Sequence, residues 1–493
     1  MVAKKLIIAI SVMFCSLLII ISVSIAFATK KKILSSGLKY GIILDAGSSR
    51  TTAFVYQWPA EKKHNTGLVT EKYHCRIEGP GIATYKENPK QAAIAILDCL
   101  NRTLKIIPKE RYSTTQVCLA ATAGMRLLEL QDKPAAQRIL SEIEALFKTL
   151  PFNFGRVHIL TGREEAIYAW ISANYLKGNL VKRNNKQYRH PFIVRTSGAL
   201  DLGGASTQIA FTPRRILNKL ATPAKVMLYG HKYVIYTQSF ECYGKDEAER
   251  RYLVNIYQAS ESKWPYQSPC WPSGYNETVS MKDLFGSLCT ASKKPANYKP
   301  DDEITFTGTG NPAKCQELVY LLFDFKACAG KHYCSFSGIY QPTVRGKFMA
   351  FSAFYYTKRA LKLPTSFTLT TFTETLWSFC TKSWAELKVM LPKDKDRYRK
   401  GYCFSGNYMR TLLISGYKFK PASWKRISFN KKVDGNEVNW SLGYMLNVTN
   451  QIPREIKGKE NMIKLAILSK VLIVFSSLLM FSIFIIYQMI KHP

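Results

Sequence analysis

DAGSSRT, Asp45–Thr51, returns in altered form as DLGGAST, Asp201–Thr207, about 150 residues further along the chain. Each copy follows an apolar run, Tyr40–Leu44 in the first and Ala199–Leu200 in the second. Each then enters residues that read as a returning strand, Ala53–Tyr56 and Gln208–Phe211. The pattern predicts two hairpins with glycine-rich tips. Gly47, Gly203 and Gly204 let backbone N–H groups approach an anion, and Ser48, Ser49, Ser206 and Thr207 add hydroxyls at the same tips. A phosphate chain fits between two such tips. A carboxylate facing those phosphates is repelled unless a divalent cation lies between, so Asp45 and Asp201 imply one shared metal. A single Asp-x-Gly-Ser loop is more often an ordinary turn; its duplication favours a ligand site.

Strand-hairpin phosphate loops in duplicate resemble the actin, hexokinase and heat-shock ATPase superfamily, whose halves clasp a nucleotide in the cleft between them. The variants here are similar to those of the ecto-nucleoside triphosphate diphosphohydrolases, or apyrases, over about Tyr40–Pro453. DAGSSRTT with Arg50, YQWPAEK (56–62), ITFTGTG (304–310) and FDFKAC (323–328) resemble the type 3 cell-surface branch of that family. The resemblance implies an α/β fold: a two-lobed ectodomain of ribonuclease H-like lobes flanked by two transmembrane helices.

Two further segments carry the likeness. In ATAGMRLL, Ala121–Leu128, a strand over Gln116–Ala121 turns into a helix from Met125; Thr122 alone reads as a helix cap. In TGREEAIYAWISANYL, Thr161–Leu176, the spacing of Ile167, Trp170, Ile171 and Tyr175 predicts a helix, with Thr161 and Glu164 as its capping box. By local rules Glu165 is a plain solvated carboxylate. The resemblance instead makes Glu165 the general base and turns Thr122 toward the terminal phosphate and attacking water. Arg163 and Ala166 depart from the family's Gly-Gln-Glu-Glu-Gly, changing local charge and backbone freedom.

The same resemblance implies the remaining roles. Ser206 and Gln208 orient the water; Ser48, Ser49, Arg50, Gly203, Gly204, Ala205 and Ser206 hold phosphate; Asp45 and Asp201 hold Ca2+ or Mg2+ through its waters. Lys245 lies near the nucleobase where relatives carry arginine, and Tyr356 and Tyr402 take its two faces. Phe351 and Phe354 belong to the core. NWSLGYMLNVTNQIP, Asn439–Pro453, returns the chain to the first lobe, with Trp440 in the core or bordering the site. The implied disulfides are Cys75–Cys99, Cys242–Cys289, Cys270–Cys315, Cys328–Cys334 and Cys380–Cys403; spacing alone assigns none of them.

Composition agrees with that frame. A chain of 493 residues with 47% hydrophobic content has room for two lobes and excludes wholesale disorder. Leu6–Ala28 is uncharged and long enough to span a bilayer, with Lys4 and Lys5 before it and Lys30–Lys32 after. It reads as a retained anchor; Ala26-Phe27-Ala28 would suit signal peptidase, but the apolar run exceeds the usual length. Val471–Ile490 is a second apolar run. The expected division is a tail 1–5, a span 6–28, a linker 29–39, lobe I 40–161, lobe II 162–430, a return to lobe I 431–460, a span 471–490 and a tail 491–493.

Of 12 cysteines, all but Cys15 and Cys118 lie in polar, loop-like sequence, which points to disulfides and an oxidising compartment. Zinc is the poorer explanation, since no Cys-x-x-Cys pairs accompany the 7 histidines. Asn101, Asn276, Asn439 and Asn447 begin glycosylation triplets. The formal charge of +36 comes without a compact basic stripe interleaved with aromatics, so nucleic acid is not the expected partner. Nucleoside di- and triphosphates and a lipid bilayer are, with a homo-oligomer through the terminal helices a further expectation. Lys182–His190 reads as a surface insertion.

The expected activity is hydrolysis of extracellular nucleoside tri- and diphosphates to the monophosphate, damping purinergic signalling from the cell membrane. Two rivals are a nucleotide-binding receptor or chaperone-like switch, against which Glu165 argues, and a kinase, which would need an acceptor pocket.

Overall fold

A computed structural model of the chain describes residues 2–35, 37–60, 62, 66–180, 196–213, 223–259, 265–452 and 459–491; the basic stretch Lys182–His190 lies outside them. The chain forms two compact units, one of residues 1–39, 58–62 and 452–493 and one of residues 40–57 and 63–451.

The first unit consists mainly of two helices, Val2–Ser35 and Lys459–Lys491, which pack against each other. Within them Leu6–Ile25 and Ala466–Lys491 are long and apolar enough to cross a membrane. Ile7, Phe14, Ile473 and Phe481 stand exposed on them, an arrangement that suits hydrocarbon better than water.

The second unit carries the chemistry. Its first sheet is built from β1 (Leu38–Ala46), β2 (Thr51–Pro59), β3 (Thr70–Arg76), β4 (Gln116–Ala121) and β5 (Asn153–Ile159), in the order β3-β2-β1-β4-β5. β3 runs antiparallel to β2, whereas β4 is parallel to both β1 and β5. Parallel neighbours need a long crossover, and the helix Pro89–Ile106 lies on that path between β3 and β4. Proline at its first turn suits the start of a helix, and Ala92, Ile96, Cys99, Leu100 and Thr103 form its buried face. Ala93 and Leu97, which sequence spacing puts on that stripe, fall on its flank, half-buried and exposed respectively.

The second sheet begins with β6 (Gly198–Leu202), β7 (Ser206–Phe211), β8 (Ala224–Leu228) and β9 (His231–Glu241). A small sheet of β10 (Tyr266–Ser268), β11 (Asn276–Ser280) and β12 (Glu303–Gly308) follows, and then β13 (Phe348–Ser352) and β14 (Ile427–Phe429) complete the larger one. Its order is β14-β13-β6-β7-β9-β8. β7 is antiparallel to β6 and β9, and β13 is parallel to β6 and β14. The five strands β9-β7-β6-β13-β14 therefore match β3-β2-β1-β4-β5 position for position. The repeated sequence motif belongs to a repeated fold, the two-lobed α/β architecture of the actin and heat-shock ATPase type.

Each sheet has its own core: Ile42, Val55, Leu119 and Ile139 in the first, Leu200, Ile209, Phe348 and Phe354 in the second. Phe351 is likewise fully buried. The helices Gly162–Leu176 and Trp440–Thr449 pack face to face, with Gly443 N–H donating to Ser172 Oγ at 2.7 Å. A Cβ at Gly443 would overlap the Tyr168 carbonyl, so only glycine allows this approach. Tyr56 Oη lies 2.9 Å from Ser441 Oγ, which ties the same return segment to β2.

Disulfides join Cys75 to Cys99, Cys242 to Cys289, Cys270 to Cys315, Cys328 to Cys334 and Cys380 to Cys403; Cys15 and Cys118 are free thiols. Asn101 and Asn276 are exposed and Asn447 is half-buried. Asn439 caps a helix, its side chain accepting from Leu442 N–H at 3.2 Å.

Candidate active site

Asp45 lies near the end of β1, in register with Ala120 of β4; Asp201 lies in β6, in register with Phe351 of β13. These are equivalent places in the two repeats, so fold symmetry alone brings the two carboxylates to one cleft. The tips that follow them meet. A Cβ on Gly204 would lie 2.5 Å from Ser48 Oγ, and one on Gly124 would lie 2.8 Å from Ser48 Cα. At Gly124 the atom met is backbone, which makes glycine the condition for that approach; at Gly204 a side chain would have to displace the Ser48 hydroxyl and the Asp246 carboxylate.

The cleft has a volume of about 1240 Å³. Its lining includes Asp45, Ser48, Ser49, Arg50, Thr122, Glu165, Asp201, Gly203, Gly204, Ala205, Ser206, Lys245, Tyr356 and Tyr402. Gln208 is not on the lining. It lies one layer behind, fully buried, where its side-chain amide donates to Ser206 Oγ at 2.6 Å and to Ser239 Oγ at 3.1 Å.

Thr122 immediately precedes the helix Ala123–Gln131 but its hydroxyl makes no capping bond there. Its backbone N–H donates to the Ala46 carbonyl at 3.1 Å, which fixes the residue beside the first tip. The second tip is held from behind by the helix Lys245–Ala259: Lys245 N–H donates to the Gly203 carbonyl at 2.8 Å and Asp246 N–H to the Gly204 carbonyl at 2.8 Å. Helix-end N–H groups with no partner in their own helix thus anchor the loop.

Glu165 sits in the first turn of the helix Gly162–Leu176, whose capping box of Thr161 and Glu164 is fully formed. Glu164 is thereby occupied at the helix end, and Glu165 is the carboxylate that points into the cleft, 5% exposed. Burial raises its pKa to about 7; Arg126 opposes the shift and Asp201 and Glu241 add to it. Arg126 Nη2 approaches Glu165 Oε2 at 2.9 Å.

Asp45 is pushed up to about 8 by burial and by Glu165, with Arg50 pulling the other way and Asp201 and Glu437 adding to the rise. Asp201 is pushed up to about 6 by burial, partly offset by a hydrogen bond from Ser352, which adopts a positive φ of 57° at the end of β13. Three carboxyls that resist ionisation in one cleft form a site short of positive charge. Among the described residues no group of three His, Cys, Asp or Glu side chains surrounds one point. Two aspartates with open space beside them are an all-oxygen donor set. That set fits a hard divalent cation that keeps part of its water shell, as Ca2+ and Mg2+ do.

The far end of the cleft is aromatic and cationic. The Tyr356 ring has Arg50 Cζ, Arg359 Cζ and Lys431 Nζ at 6.0, 5.9 and 5.9 Å from its centroid. Tyr402 is held by its hydroxyl, which donates to Asp394 Oδ2 at 2.8 Å and accepts from Arg359 Nη2 at 3.1 Å. Lys245 Nζ is paired with Glu249 Oε2 at 3.0 Å and Asp246 Oδ1 at 3.2 Å; those carboxylates outweigh burial and hold its pKa above the usual lysine range. Lys393, Lys395 and Arg397 stand exposed along the rim. Trp440 is both buried and part of the lining.

Sequence reasoning did not single out Arg126, Glu241, Arg359 or Asp394. Arg126 lay in plain view within ATAGMRLL, four residues after Thr122, one helical turn on. Glu241 had a subtler signal: it stands in register with Ser206 across β7 and β9, and that register is not written in either strand alone.

The profile of the GDA1/CD39 (nucleoside phosphatase) family matches residues 31–464. The chain is similar to ectonucleoside triphosphate diphosphohydrolase 3 of Homo sapiens, 46% identical over 91% of this chain and 85% of that one. It is also similar to ectonucleoside triphosphate diphosphohydrolase 8 of Rattus norvegicus, 40% identical over 86% of this chain and 85% of that one. Among solved structures, nucleoside triphosphate hydrolases from Neospora caninum share the fold with a TM-score of 0.61 at 13% identity, over 87% of this chain and 96% of the other.

Proposed function

Because the chain belongs to the GDA1/CD39 (nucleoside phosphatase) family and is a hydrolase of the nucleoside triphosphate diphosphohydrolase kind, we propose that it is a membrane-anchored ectonucleotidase. Its substrates are extracellular ATP, ADP, UTP and UDP, which it cleaves to the monophosphate and phosphate. The reading rests on one observation above others: the buried Glu165 carboxyl, raised to about 7, opens into the same cleft as both aspartates and both tips.

In this mechanism water attacks the terminal phosphorus from the Glu165 side as the bond to the bridging oxygen breaks. Glu165 takes the proton from the water, and a pKa near 7 suits that task at neutral pH. Thr122 and Ser206 direct the water, and Gln208 fixes the Ser206 hydroxyl. The tip hydroxyls and backbone N–H groups, with Arg50, meet the charge spreading over the transferred phosphoryl oxygens. Asp45 and Asp201 are the residues that would hold Ca2+ or Mg2+, which when bound neutralises phosphate charge and relieves the crowding of carboxylates. No phosphoenzyme is required.

Tyr356 and Tyr402 bracket the base by stacking, a contact open to purines and pyrimidines alike. The two apolar helices anchor the enzyme with its cleft outside the cell, where ATP and ADP removal damps purinergic signalling. The deciding measurement is metal-dependent phosphate release from ATP and ADP by wild type and Glu165→Gln. Loss of about 100-fold or more is expected for removal of a general base. Nucleotide binding with no phosphate release by the wild type would favour a receptor or switch, and release only with an acceptor present would favour a kinase.

A further inference from the structure

Ser206 and Gln208 belong to a closed hydrogen-bonded ring whose other members, Arg126, Ser239 and Glu241, the mechanism above does not use. Arg126 Nε donates to Glu241 Oε1 at 3.0 Å, and Arg126 Nη2 reaches Ser206 Oγ at 3.2 Å. Gln208 Nε2 joins Ser206 Oγ to Ser239 Oγ, and Ser239 Oγ donates back to Glu241 Oε1 at 3.1 Å. The ring follows from register. Ser206 opposes Glu241 and Gln208 opposes Ser239 on adjacent antiparallel strands, so period-two alternation puts all four side chains on one face. The helix bearing Glu165 rests on this ring: a Cβ at Gly162 would lie 2.5 Å from Ser239 Oγ and 3.1 Å from Glu241 Oε1.

The donor count of Arg126 is what matters. One of the two Nη1 protons goes to the Leu160 carbonyl at 2.9 Å. Nη2 has two protons and faces three acceptors: Glu165 Oε2 at 2.9 Å, Glu241 Oε1 at 2.9 Å and Ser206 Oγ at 3.2 Å. Glu165 Oε2 is the one left without an aligned hydrogen bond. One guanidinium therefore serves two carboxylates at equal distance, and the aligned hydrogen bond, from Nε, goes to Glu241.

We propose that Glu241 is a positioning residue for the hydrolytic step, competing with Glu165 for Arg126 so that the Glu165 carboxylate stays oriented yet incompletely paired and free to accept a proton from water. The inference rests on Glu165 being the base. The charged groups facing Glu165 are Arg126 from the Ala123–Gln131 helix, Glu241 from β9, Asp201 from β6 and Asp45 from β1. Of these only Glu241 acts on it both directly, as a like charge, and by withdrawing its cation. A merely structural Glu241 would staple β9 to the Ala123–Gln131 helix and leave proton transfer alone.

The test is the pH profile of ATP and ADP hydrolysis, with Mg2+ present, for wild type, Glu241→Gln, Glu241→Asp, Glu165→Gln and the double variant Glu165→Gln/Glu241→Gln. With its competitor neutralised, Arg126 pairs fully with Glu165. Glu241→Gln should then lose about 3- to 10-fold in kcat with KM within about twofold, and its acid limb should move to lower pH. Glu241→Asp should recover most of the rate, and adding Glu241→Gln to Glu165→Gln should cost nothing further. An acid limb unmoved in Glu241→Gln, or a loss confined to KM or to melting temperature, overturns the proposal. Full activity in Glu165→Gln would instead overturn the base assignment itself, so the two failures are distinguishable.

Discussion

Ser48 Oγ occupies the space that a side chain on Gly204 would need, the two residues coming from the tips of two different hairpins and meeting across the cleft. A methyl at 204 would stand 2.5 Å from that oxygen and 2.6 Å from Asp246 Oδ2. Gly204→Ala should therefore separate the tips by a few tenths of an ångström while leaving both cores intact. Phosphate release is expected to fall by about 10- to 100-fold, because small misplacement of phosphate-holding groups is costly. The melting temperature should move little; a fully active Gly204→Ala would show that the tips need not touch.

Charge crowding in the cleft sets a dependence on pH and metal. Asp45 and Asp201 have pKa values raised from 3.8 to about 8 and about 6. A raised folded-state value contributes stability that is complete below the unfolded value and is lost as pH climbs through the folded one. Metal-free protein should thus lose thermal stability between about pH 4 and pH 8. Mg2+ or Ca2+ should stabilise it more at pH 8 than at pH 5, the whole stabilisation amounting to about 2.7 kcal/mol where the metal concentration is 100 times Kd. Calorimetric melts with and without chelator check this, and equal metal-induced shifts at both pH values would contradict it.

Gly443 makes a different kind of contact. Any side chain there meets the Tyr168 backbone, which cannot rotate away. Gly443→Ala is expected to destabilise the protein by about 1–3 kcal/mol through overpacking of the two helices. Denaturant unfolding would register it as a lower midpoint, and an unchanged midpoint would mean that the helices part without cost.

Tyr356 offers a test of the aromatic end. Its ring is half-buried among three cations and open to the cleft. Tyr356→Ala should raise KM for ATP and UTP alike by about 5- to 10-fold, in keeping with one lost stacking contact. A loss restricted to one nucleotide would point to a base-specific hydrogen bond in place of stacking.

The His158 ring, half-buried on β5, gives an acid-side prediction outside the cleft. Burial, with help from Arg156, lowers its pKa from 6.5 to about 4. The folded protein thus prefers the neutral ring, and stability present above pH 6.5 should erode as pH falls toward 4. His158→Gln should flatten that part of the stability profile in denaturant melts; an unchanged slope would assign the acid lability to other groups.

The legible part of this molecule was what repeats or stands next to itself in the chain. Asp45 and Asp201 announced themselves through duplicated neighbours, and Thr161 and Glu164 through a three-residue spacing that local geometry dictates. Two apolar residues, Ala93 and Leu97, fit the period of the buried stripe, and only packing against the first sheet shows where that stripe ends. The Arg126 ring was illegible for a physical reason: its members come from three separate stretches and meet through the pairing of β7 with β9. Gln208 could be placed near the water by resemblance, yet burial sets it behind Ser206. Lys245 carries its charge into the cleft lining already balanced by Glu249 and Asp246, an i,i+4 pair and a neighbour within the one stretch KDEAE.

Ser48 is hemmed in by Gly81, Gly124 and Gly204, which come from a loop, a helix start and the opposite hairpin. Four stretches of chain are thus locked into one seat, and none can change size without the consent of the others. Lys393, Lys395 and Arg397 at the rim carry no such constraint. Diversification of this scaffold, by design or by descent, has room at the doorway and almost none at the hearth.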